Sequence, residues 1–536
     1  MDGQILRGVR SSAAAAILFL TAILSGGATA GVIDTPPKPG DTARVGGPLP
    51  GVSADADLAK FFDQARTVFM ERDSVKGGSF EGQDTGTGLG PRFNLDGCAS
   101  CHAYPAAGGS SPPFNLQPGF STAGHAKNDP VSFVKSDGPT VEARFKWLMD
   151  ANGRFKLDLT KPGKDKRVAD GGVHALYTIS GRADAGACQI KQPPFQQAWV
   201  QDNVTLRIPT PVYGLGLIEA IDESEINRNA GDVVLATAKA AKASSLKAGD
   251  FDMDDVQFSR IDDKRSFWKA LKDRENLRTI LGIHGRPGRG RSNHSGNDST
   301  ITRFGWKAQN KSLMIFAGEA YNVEQGVTNE LFPNERDEEQ TPLPAACKIN
   351  ATPEDKTVPA KNGGGSVALS DVENFAAFMR LLAPPKPACE LSKDCPDNVV
   401  HGSAVFDQVH CDECHVRELK LGNAALKPIA DQKVARLYSD LLLHHMGNCP
   451  PHKDHTPACL ADGVEQGQAG VDEFRTAPLW GAGQRLFFLH DGRARDLPSA
   501  ILDHQGKGSE ATEVIKRYRA LPDKDKQALI DFLRTL

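Results

Sequence analysis

Two pentapeptides, CASCH at residues 98–102 and CDECH at residues 411–415, have the spacing CxxCH. With this spacing, two thiols on one helical turn can each bond covalently to a vinyl group of haem, and the imidazole that follows can ligate the iron. The sequence therefore predicts two covalently bound c-type haems. The residues that would hold them are Cys98, Cys101 and His102 for the first haem, and Cys411, Cys414 and His415 for the second.

Two other uses of paired cysteines compete with this prediction. A zinc ribbon needs its two CxxC pairs close together, whereas about 310 residues separate the pairs in this chain. A thioredoxin-like redox site does not require a histidine directly after the second cysteine, and neither pentapeptide follows an apolar strand of a βαβ unit. Both comparisons favour haem attachment.

The N-terminus has the three parts of a secretory signal peptide. Arg7 and Arg10 precede an apolar run at residues 13–24, and small residues follow at positions 28–30. We predict that residues 1–30 are a signal peptide and that the protein is periplasmic, since bacteria attach c-type haem outside the cytoplasm. An uncleaved membrane anchor is the alternative. No later stretch is apolar enough to span a membrane, so we expect no span after cleavage.

Composition limits the classes of partner. The 536 residues are enough for two or more hydrophobic cores. The net charge of −4 at pH 7 gives no reason to expect nucleic acid as a partner, or a polybasic contact with a membrane surface.

Six cysteines remain outside the two motifs, and an even number in an oxidising compartment predicts disulfides. Cys389 with Cys395, and Cys449 with Cys459, would each close a short loop. Cys188 with Cys347 then follows by elimination only. Six cysteines allow 15 connectivities, and free buried thiols are the alternative.

Segments rich in proline, glycine or cysteine divide the chain. Residues 31–54 are predicted to be a linker, and residues 386–398 a second one. Between them we place an N-terminal haem domain with long insertions, residues 55–385. A C-terminal haem domain, residues 399–536, follows the second linker.

Helical periodicity and capping signals predict three helices. The first begins near Asp55. The second covers residues 370–382, where Ser370 and Glu373 have the spacing of a capping box. The third is amphipathic and covers residues 524–536 at the end of the chain.

Five sequence blocks carry a resemblance to one protein family. They are GLGPRFNLDGCASCHAYP at 88–105, FGWKA at 304–308, GVTNELFP at 326–333, LYSDLLLHHMG at 437–447, and the segment 475–504 with RTAPLWG and LHDGRARDLPSAILDH. Through these blocks the chain resembles the bacterial di-haem oxidoreductase family, a peroxidase-like group sometimes labelled thiol oxidoreductase. The family is similar in turn to di-haem cytochrome c peroxidases and MauG-type enzymes. The resemblance implies a mainly α fold with long loops and two cytochrome c-like haem domains.

Axial ligation of the second haem is predicted from this resemblance and from a helix. In the similar peroxidases, the position that matches His504 holds the distal iron ligand, usually a methionine. Asp496 is a favourable N-cap, so we expect a short helix that ends at Gly506 and places His504 on its apolar face. Met446 is the second candidate ligand, and a structural histidine without a bond to iron is the third possibility.

The first haem has one candidate distal ligand, His125. It lies 23 residues after His102, in a loop where similar peroxidases carry a removable distal histidine. A histidine in a loop is more often a surface residue. Two alternatives therefore stay open: His125 ligates the first iron, or that iron is five-coordinate and accessible to peroxide.

Peroxide cleavage needs a group that moves a proton between the two oxygens, and a hydrogen bond to the leaving hydroxide. Glu319 and Glu324 in GEAYNVEQG are the candidate acid/base residues, and Gln325 is the candidate hydrogen-bond donor. Gln325 stands where close relatives are expected to have methionine. The alternative for all three is an ordinary polar surface residue.

Three further residues lie in the family blocks. His490 resembles the peroxidase loop histidine near the region between the haems, or it is a structural histidine paired with Asp491 or Arg493. Trp306 and Trp480 are candidates to bridge electron flow between the irons. Core packing is the alternative for both tryptophans.

A Gly/Arg loop at residues 286–291 has two interpretations that the sequence leaves equal. It is either exposed coil or a source of arginines for the haem propionates, because guanidinium geometry suits a carboxylate.

Together these inferences predict a periplasmic di-haem c-type oxidoreductase of the peroxidase type. One haem would reduce hydrogen peroxide, and the other would relay electrons from a small periplasmic donor, a cytochrome c or a cupredoxin. The alternatives are a non-catalytic di-haem electron-transfer cytochrome and a MauG-like enzyme that oxidises residues of a partner protein. Calcium between the haems, as in the similar peroxidases, is left open because no ligand cluster in the sequence identifies a site.

Overall fold

The predicted signal peptide, part of the first predicted linker and the Cys449–Cys459 pair lie outside the residues that the structure describes. Among the described residues, no helix is both long enough and apolar enough to cross a membrane. The computed structural model describes residues 32–37, 42, 44–150, 152–170, 173–174, 177–230, 277–289, 300–335, 343–359, 366–391, 393–447 and 460–536.

Helices supply most of the packing in the described chain, as the predicted fold class requires. They are α1 (Ala56–Met70), α2 (Cys98–Cys101), α3 (Gln117–Phe120), α4 (Phe195–Val200), α5 (Leu215–Glu219), α6 (Glu223–Asn229), α7 (Leu313–Glu324), α8 (Asp371–Leu381), α9 (Asp397–Gln408), α10 (Lys427–Ala430), α11 (Leu497–Leu502), α12 (Thr512–Ala520) and α13 (Asp523–Thr535). Long loops connect them, which was also predicted.

Short strands, which the sequence analysis did not anticipate, lie between the helices. They are β1 (Lys76–Phe80), β2 (Gln83–Thr87), β3 (Arg92–Phe93), β4 (Glu142–Phe145), β5 (Val173–His174), β6 (Tyr177–Thr178), β7 (Val204–Arg207), β8 (Gly288–Arg289), β9 (Ile301–Thr302), β10 (Val358–Pro359), β11 (Ser366–Ala368), β12 (Leu419–Lys420), β13 (Val434–Ala435), β14 (Leu443–His445) and β15 (Glu473–Arg475). They form antiparallel pairs, and β4 lies between β5 and β7 in a three-stranded sheet.

Helices α1, α7 and α8 form one core. Asp55 caps α1, and Ser370 with Glu373 forms the predicted capping box at the start of α8, so both helix starts are confirmed. Phe69 on α1 packs against Phe378 on α8 with ring centroids 4.6 Å apart. This core supports the residues around the first CxxCH motif.

Helices α9 and α13 form a second core near the second CxxCH motif. Phe406 on α9 and Phe532 on α13 lie with ring centroids 5.6 Å apart. The helices approach so closely that a Cβ atom at Gly402 would lie 1.9 Å from the carbonyl oxygen of Ala528, so only glycine fits there. The predicted C-terminal amphipathic helix is therefore confirmed as α13.

The largest described core contains residues from both predicted haem domains. Phe62 and Ile218 belong to it, and so do Leu437 and Trp480 from the C-terminal part of the chain. The boundary at residues 386–398 stays a prediction.

Two predicted disulfides are confirmed. Cys188 bonds to Cys347, and Cys389 bonds to Cys395. The first ties the inserted segment that contains β4 and β7 to a segment 159 residues further along the chain.

Candidate haem-binding sites

The first CxxCH motif lines a cavity, called the first cavity below. Cys98 and Cys101 lie on the single turn α2, and His102 follows it. The cavity contains about 1050 Å³ of space that protein atoms do not fill, part of it open to solvent. Helices α1, α7 and α8 and strands β4 and β7 supply the other walls.

The second CxxCH motif lines a larger cavity, called the second cavity below. Cys411 begins a 3₁₀ turn, Cys411–Glu413, and Cys414 and His415 follow. The cavity contains about 1410 Å³ of space that protein atoms do not fill, part of it open to solvent. Apolar side chains from α9, α11 and α13 form much of its wall, including Phe406 and Leu529.

The thiols of both motifs are unpaired, in contrast to the other described cysteines, which form disulfides. Burial raises the pKa of the Cys98, Cys101 and Cys411 thiols above the usual range. A redox CxxC site instead needs a thiol whose pKa is lowered. The buried, neutral thiols therefore do not support the thioredoxin-like alternative.

The two motif histidines have the same hydrogen bond. His102 Nδ1 lies 3.1 Å from the carbonyl oxygen of Gly109, and His415 Nδ1 lies 3.0 Å from that of Tyr438. A carbonyl oxygen only accepts, so Nδ1 carries the proton and Nε2 keeps its lone pair for a metal. Burial lowers the pKa of both imidazoles to about 4, which keeps them neutral at pH 7.

His504 lines the second cavity together with His415. Asp496 caps α11 as predicted, but the helix ends at Leu502, so His504 lies in the turn after the helix and not on it. Its Nδ1 lies 2.8 Å from the carbonyl oxygen of Ala500, which again leaves Nε2 for a metal. Burial lowers the pKa of His504. The pKa of His415 is also lowered, mainly by burial and further by the nearby His504.

Met446 lines the same cavity, so the structure brings both candidate distal ligands to one place. Its side chain packs with Leu460 and Phe474 in a small apolar cluster. The choice between His504 and Met446 stays a prediction.

Glu324 and Gln325 line the first cavity beside the first CxxCH motif. Gln325 Nε2 donates to Cys98 Sγ at 3.3 Å, while its Oε1 is buried without a partner among the described residues. Glu324 accepts a hydrogen bond from the Asn94 amide. These two predicted residues therefore lie at the site.

A second carboxylate, Glu142 on β4, hydrogen-bonds to Glu324 in the first cavity. Burial and the nearby Glu142 raise the pKa of Glu324 well above its usual value. Burial alone would raise the pKa of Glu142, but the Arg144 guanidinium outweighs burial and lowers this pKa below its usual value. A hydrogen bond between two carboxyl groups requires a shared proton, and the opposite directions of the two pKa shifts place it mainly on Glu324.

Glu319 and His125 lie away from the lining of the first cavity. Glu319 is on α7 but accepts a hydrogen bond from the Asn310 amide. His125 is exposed in the 3₁₀ turn Ala123–His125. Their predicted roles in acid/base chemistry and iron ligation stay predictions that this geometry does not support.

Trp306 lines both cavities, and His490 lines the second. Trp306 Nε1 donates to the carbonyl oxygen of Ile208 at 3.0 Å, and the Ile208 N–H donates to the carbonyl oxygen of His490 at 2.7 Å. The His490 ring stacks on Phe474 with centroids 4.6 Å apart. Trp480 lines a third, smaller cavity that Trp306 also lines.

Sequence reasoning missed a buried charge cluster between the two cavities. Asp462 pairs with Lys307 at 3.0 Å and with Arg207 at 2.5 Å, and all three side chains are almost completely buried. Arg207 lines the first cavity, while His490 of the second cavity also acts on Asp462. Burial alone would raise the pKa of Asp462, but Lys307 and Arg207 outweigh burial and lower this pKa below its usual range. The cluster links the walls of the two cavities.

His444 is a second missed residue. It is buried in the wall of the second cavity, with Nδ1 2.7 Å from Glu510 Oε2 and Nε2 3.0 Å from Asp440 Oδ2. Burial opposes protonation, but Cys414 and Asp440 raise the pKa of His444 well above its usual value. The motif HHMG contained this histidine, but only Met446 was singled out from it.

The arginines of the loop at residues 286–291 already have partners where the structure describes them. Arg286 forms a two-point ion pair with Glu473, and Arg289 donates to Asn227. Arg291 lies outside the described residues.

The residues around both cavities fit haem. Each cavity combines two unpaired thiols at the right spacing, a neutral imidazole with a free Nε2, and largely apolar walls. Among the described residues, no group of three or more His, Cys, Asp or Glu side chains could hold a separate metal ion.

A comparison with known protein families decides the assignment. Residues 291–536 match the model of a family described as "Di-haem oxidoreductase, putative peroxidase". Over these residues, somewhat less than half of the chain, the sequence is similar to the di-haem oxidoreductase family. The matched range contains the second CxxCH motif, Trp306 and His504, and it confirms the resemblance found in the sequence. The match supports haem cofactors and an oxidoreductase activity at the level of the family.

Other comparisons add little. A hydrazine synthase structure from Kuenenia stuttgartiensis, determined under 20 bar of xenon, is 19% identical over 31% of this chain and 55% of that chain, with a TM-score of 0.20. A similarity at this TM-score carries no argument about fold or function. The curated proteins gave no match.

Proposed function

We propose that the protein is a periplasmic di-haem c-type oxidoreductase that reduces hydrogen peroxide. Cys98, Cys101 and His102 would hold one haem in an N-terminal cytochrome c-like domain. Cys411, Cys414 and His415 would hold the other in a C-terminal one. The observation that carries the proposal is the presence of a carboxylate pair at one CxxCH motif and of a second neutral histidine at the other.

Haem supplies two kinds of chemistry: iron with an open sixth position binds peroxide, whereas iron with two protein ligands transfers electrons. The first cavity suits the binding and cleavage of peroxide. Glu142 is ionised and can accept a proton from incoming hydrogen peroxide. Glu324 holds a proton and can donate it to the departing hydroxide. Arg144 stabilises negative charge beside both carboxylates.

The second cavity suits electron transfer. His415 and His504 are both neutral and both leave Nε2 unprotonated, as two axial ligands require. Burial and the Nδ1 hydrogen bonds orient both rings without further cost when the iron binds.

Trp306 supports electron flow between the two sites, because it lines both cavities. Its indole is fixed at Nε1 by Ile208, and Lys307 beside it is fixed by Asp462. The reaction consumes two electrons and two protons per peroxide and releases two waters. A small periplasmic cytochrome c or cupredoxin would supply the electrons.

The signal peptide predicted at residues 1–30 supports the periplasmic location, and the two described disulfides fit an oxidising compartment. A calcium ion has no support in the described residues.

The test combines EPR of the ferric holoprotein with steady-state peroxide reduction by a reduced cytochrome c. We expect one high-spin and one low-spin haem signal, a change of the high-spin signal on adding peroxide, and turnover. Two low-spin signals that peroxide leaves unchanged, without turnover, would identify an electron carrier instead. A peroxide-dependent change without cytochrome oxidation would favour a MauG-like enzyme that oxidises a partner protein.

A further inference from the structure

Two arginines in the wall of the second cavity, Arg475 (buried) and Arg485 (half-buried), form no ion pair with a carboxylate among the described residues, although the Asp440 carboxylate is close enough to act on Arg475. Arg475 ends β15, and Arg485 follows the 3₁₀ turn Ala482–Gln484. Both also line the smaller cavity of about 440 Å³, which has Trp306 in its wall. Because Trp306 also lines the first cavity, the two arginines lie on the side of the second cavity that faces the first.

Most hydrogen-bond donors of these arginines are unused. A guanidinium has five N–H donors. Arg475 donates to the carbonyl oxygens of Gly305 at 2.9 Å and Thr476 at 3.2 Å. Arg485 donates to the carbonyl oxygen of Pro478 at 3.2 Å, and its Nε is buried without a partner. The described contacts therefore satisfy neither guanidinium.

Both arginines are charged and repel each other. Burial lowers the pKa of each guanidinium to about 10, and Arg485 contributes to the lowering at Arg475. These values still leave both groups protonated at pH 7. Two neighbouring buried cations are costly unless an anion lies between or beside them.

Other buried arginines of the described chain do have such an anion. Arg207 pairs with Asp462, Arg278 with Glu413, and Arg182 with Asp184. The unpaired charge of Arg475 and Arg485 is thus specific to the wall between the cavities, which points to an anionic ligand.

We propose that Arg475 and Arg485 bind the propionate carboxylates of the haem in the second cavity. This inference rests on the proposed function, because the ligand is the haem proposed there. The vinyl groups and the propionates lie on opposite sides of a haem, so a haem bound at Cys411 and Cys414 presents its carboxylates away from the motif. Guanidinium groups match carboxylates in charge and in two-point geometry.

The positive charges also affect the haem electronically. Reduction adds an electron to the iron, and nearby cations stabilise that added charge. Removal of one arginine should therefore lower the reduction potential of the second haem, while an exchange for lysine should largely preserve it.

The test is a potentiometric titration of the low-spin haem in purified Arg485→Gln, Arg485→Lys and wild-type holoprotein. We expect Arg485→Gln to reduce the equilibrium constant for reduction at least tenfold, which is 59 mV for one electron. Arg485→Lys should stay within tenfold of the wild type. Arg436→Gln is the control, since Arg436 is an exposed arginine in a surface pair with Glu418.

The outcomes separate the two proposals. Haem attached at both motifs, with the same potential in Arg485→Gln and Arg436→Gln, would overturn the role of the arginines alone. Haem missing from the denatured wild-type protein would overturn the proposed function and this inference with it. If Arg485→Gln does not fold, Arg475→Gln replaces it in the titration. A tenfold or larger loss then supports the role of the charge, and a wild-type potential contradicts it.

Discussion

Both cavities have a CxxCH motif, a neutral histidine and arginines, but the first has a hydrogen-bonded pair of carboxylates and the second has further histidines. The first cavity has carboxylates and arginines from a β-sheet, Glu142 and Arg144 beside Glu324 on α7. The second has further histidines in an apolar wall, among them His444 and His504. Carboxylates suit proton transfer to a substrate, and imidazoles suit permanent ligation of iron.

This difference indicates a division of labour between two sites with the same attachment motif. In the proposed function, the motif would determine where haem is attached but not what the iron does. Side chains brought in from distant parts of the chain determine that second property. Four predictions test the comparison, in order of expected effect.

Exchange of Glu324 for glutamine should have the largest effect. The variant keeps the hydrogen-bonding shape but loses the transferable proton, so peroxide turnover should fall about 100- to 10,000-fold. Steady-state kinetics with a reduced cytochrome c measures this. Glu319→Gln, on the same helix but bonded to Asn310, is the matched control and should keep near wild-type turnover. Equal losses in both variants would remove Glu324 from proton transfer.

Exchange of Asp462 for asparagine should disrupt the connection between the cavities. The change leaves Lys307 and Arg207 buried without their carboxylate, so the free energy of unfolding should fall by about 3–5 kcal/mol. Chemical denaturation measures the loss. Asp407→Asn removes an exposed partner of Arg417 and should cost about 0–1 kcal/mol. An equally small loss at Asp462 would contradict its structural role.

Exchange of His504 for alanine should change only the second haem. Loss of a distal imidazole should convert one low-spin EPR signal to high spin, and added imidazole should restore it. Met446→Leu is the control and should leave the spectrum unchanged. The reverse pattern would assign the distal position to Met446, and no change in either variant would leave the second iron without either ligand.

The smallest expected effect is on the pH dependence of the free energy of unfolding, which should differ between residues near the first cavity and residues near the second. Burial and Asp371 raise the pKa of Asp73, beside the first cavity, from 3.8 to about 8. A raised carboxyl pKa means that the folded state binds the proton more tightly, so stability is lost as pH rises from about 4 to about 8. Asp73→Asn should flatten this part of the profile of unfolding free energy against pH.

Near the second cavity, the pH dependence of the free energy of unfolding should have the opposite sign. Burial alone would raise the pKa of Asp440 and of Glu510, but His444 outweighs burial and lowers both pKa values below their usual values. Their stabilising contribution is present above the unfolded pKa and is lost as pH falls. Glu510→Gln should therefore reduce stability at pH 7 more than at pH 4. A profile that changes with the same sign in both variants would contradict the comparison.

Local signals in the sequence gave reliable predictions. The caps at Asp55 and Ser370 and the short loop between Cys389 and Cys395, which the structure confirms, each depend on neighbouring residues. Such features need no knowledge of the rest of the fold. The end of α11 was less predictable, because the His504 N–H bonds to the Ile501 carbonyl and the last turn tightens.

Contacts between distant segments could not be read from the sequence. Glu142 lies 182 residues before Glu324, and only the pairing of β4 with β7 brings it to the first cavity. Glu319 and Glu324 share one helix but point about 140° apart, so the sequence alone could not choose between them. The pairing of Asp462 with Arg207 and Lys307 likewise depends on three segments that are distant in the sequence and meet only in the folded protein.

The intact mass of the denatured, exported protein tests the central claim most directly. Covalent attachment at both motifs predicts the mass of the processed polypeptide plus two haems. Ala substitution of Cys98 and Cys101 together should remove one haem from that mass. A denatured wild-type protein with the mass of polypeptide alone would contradict the account.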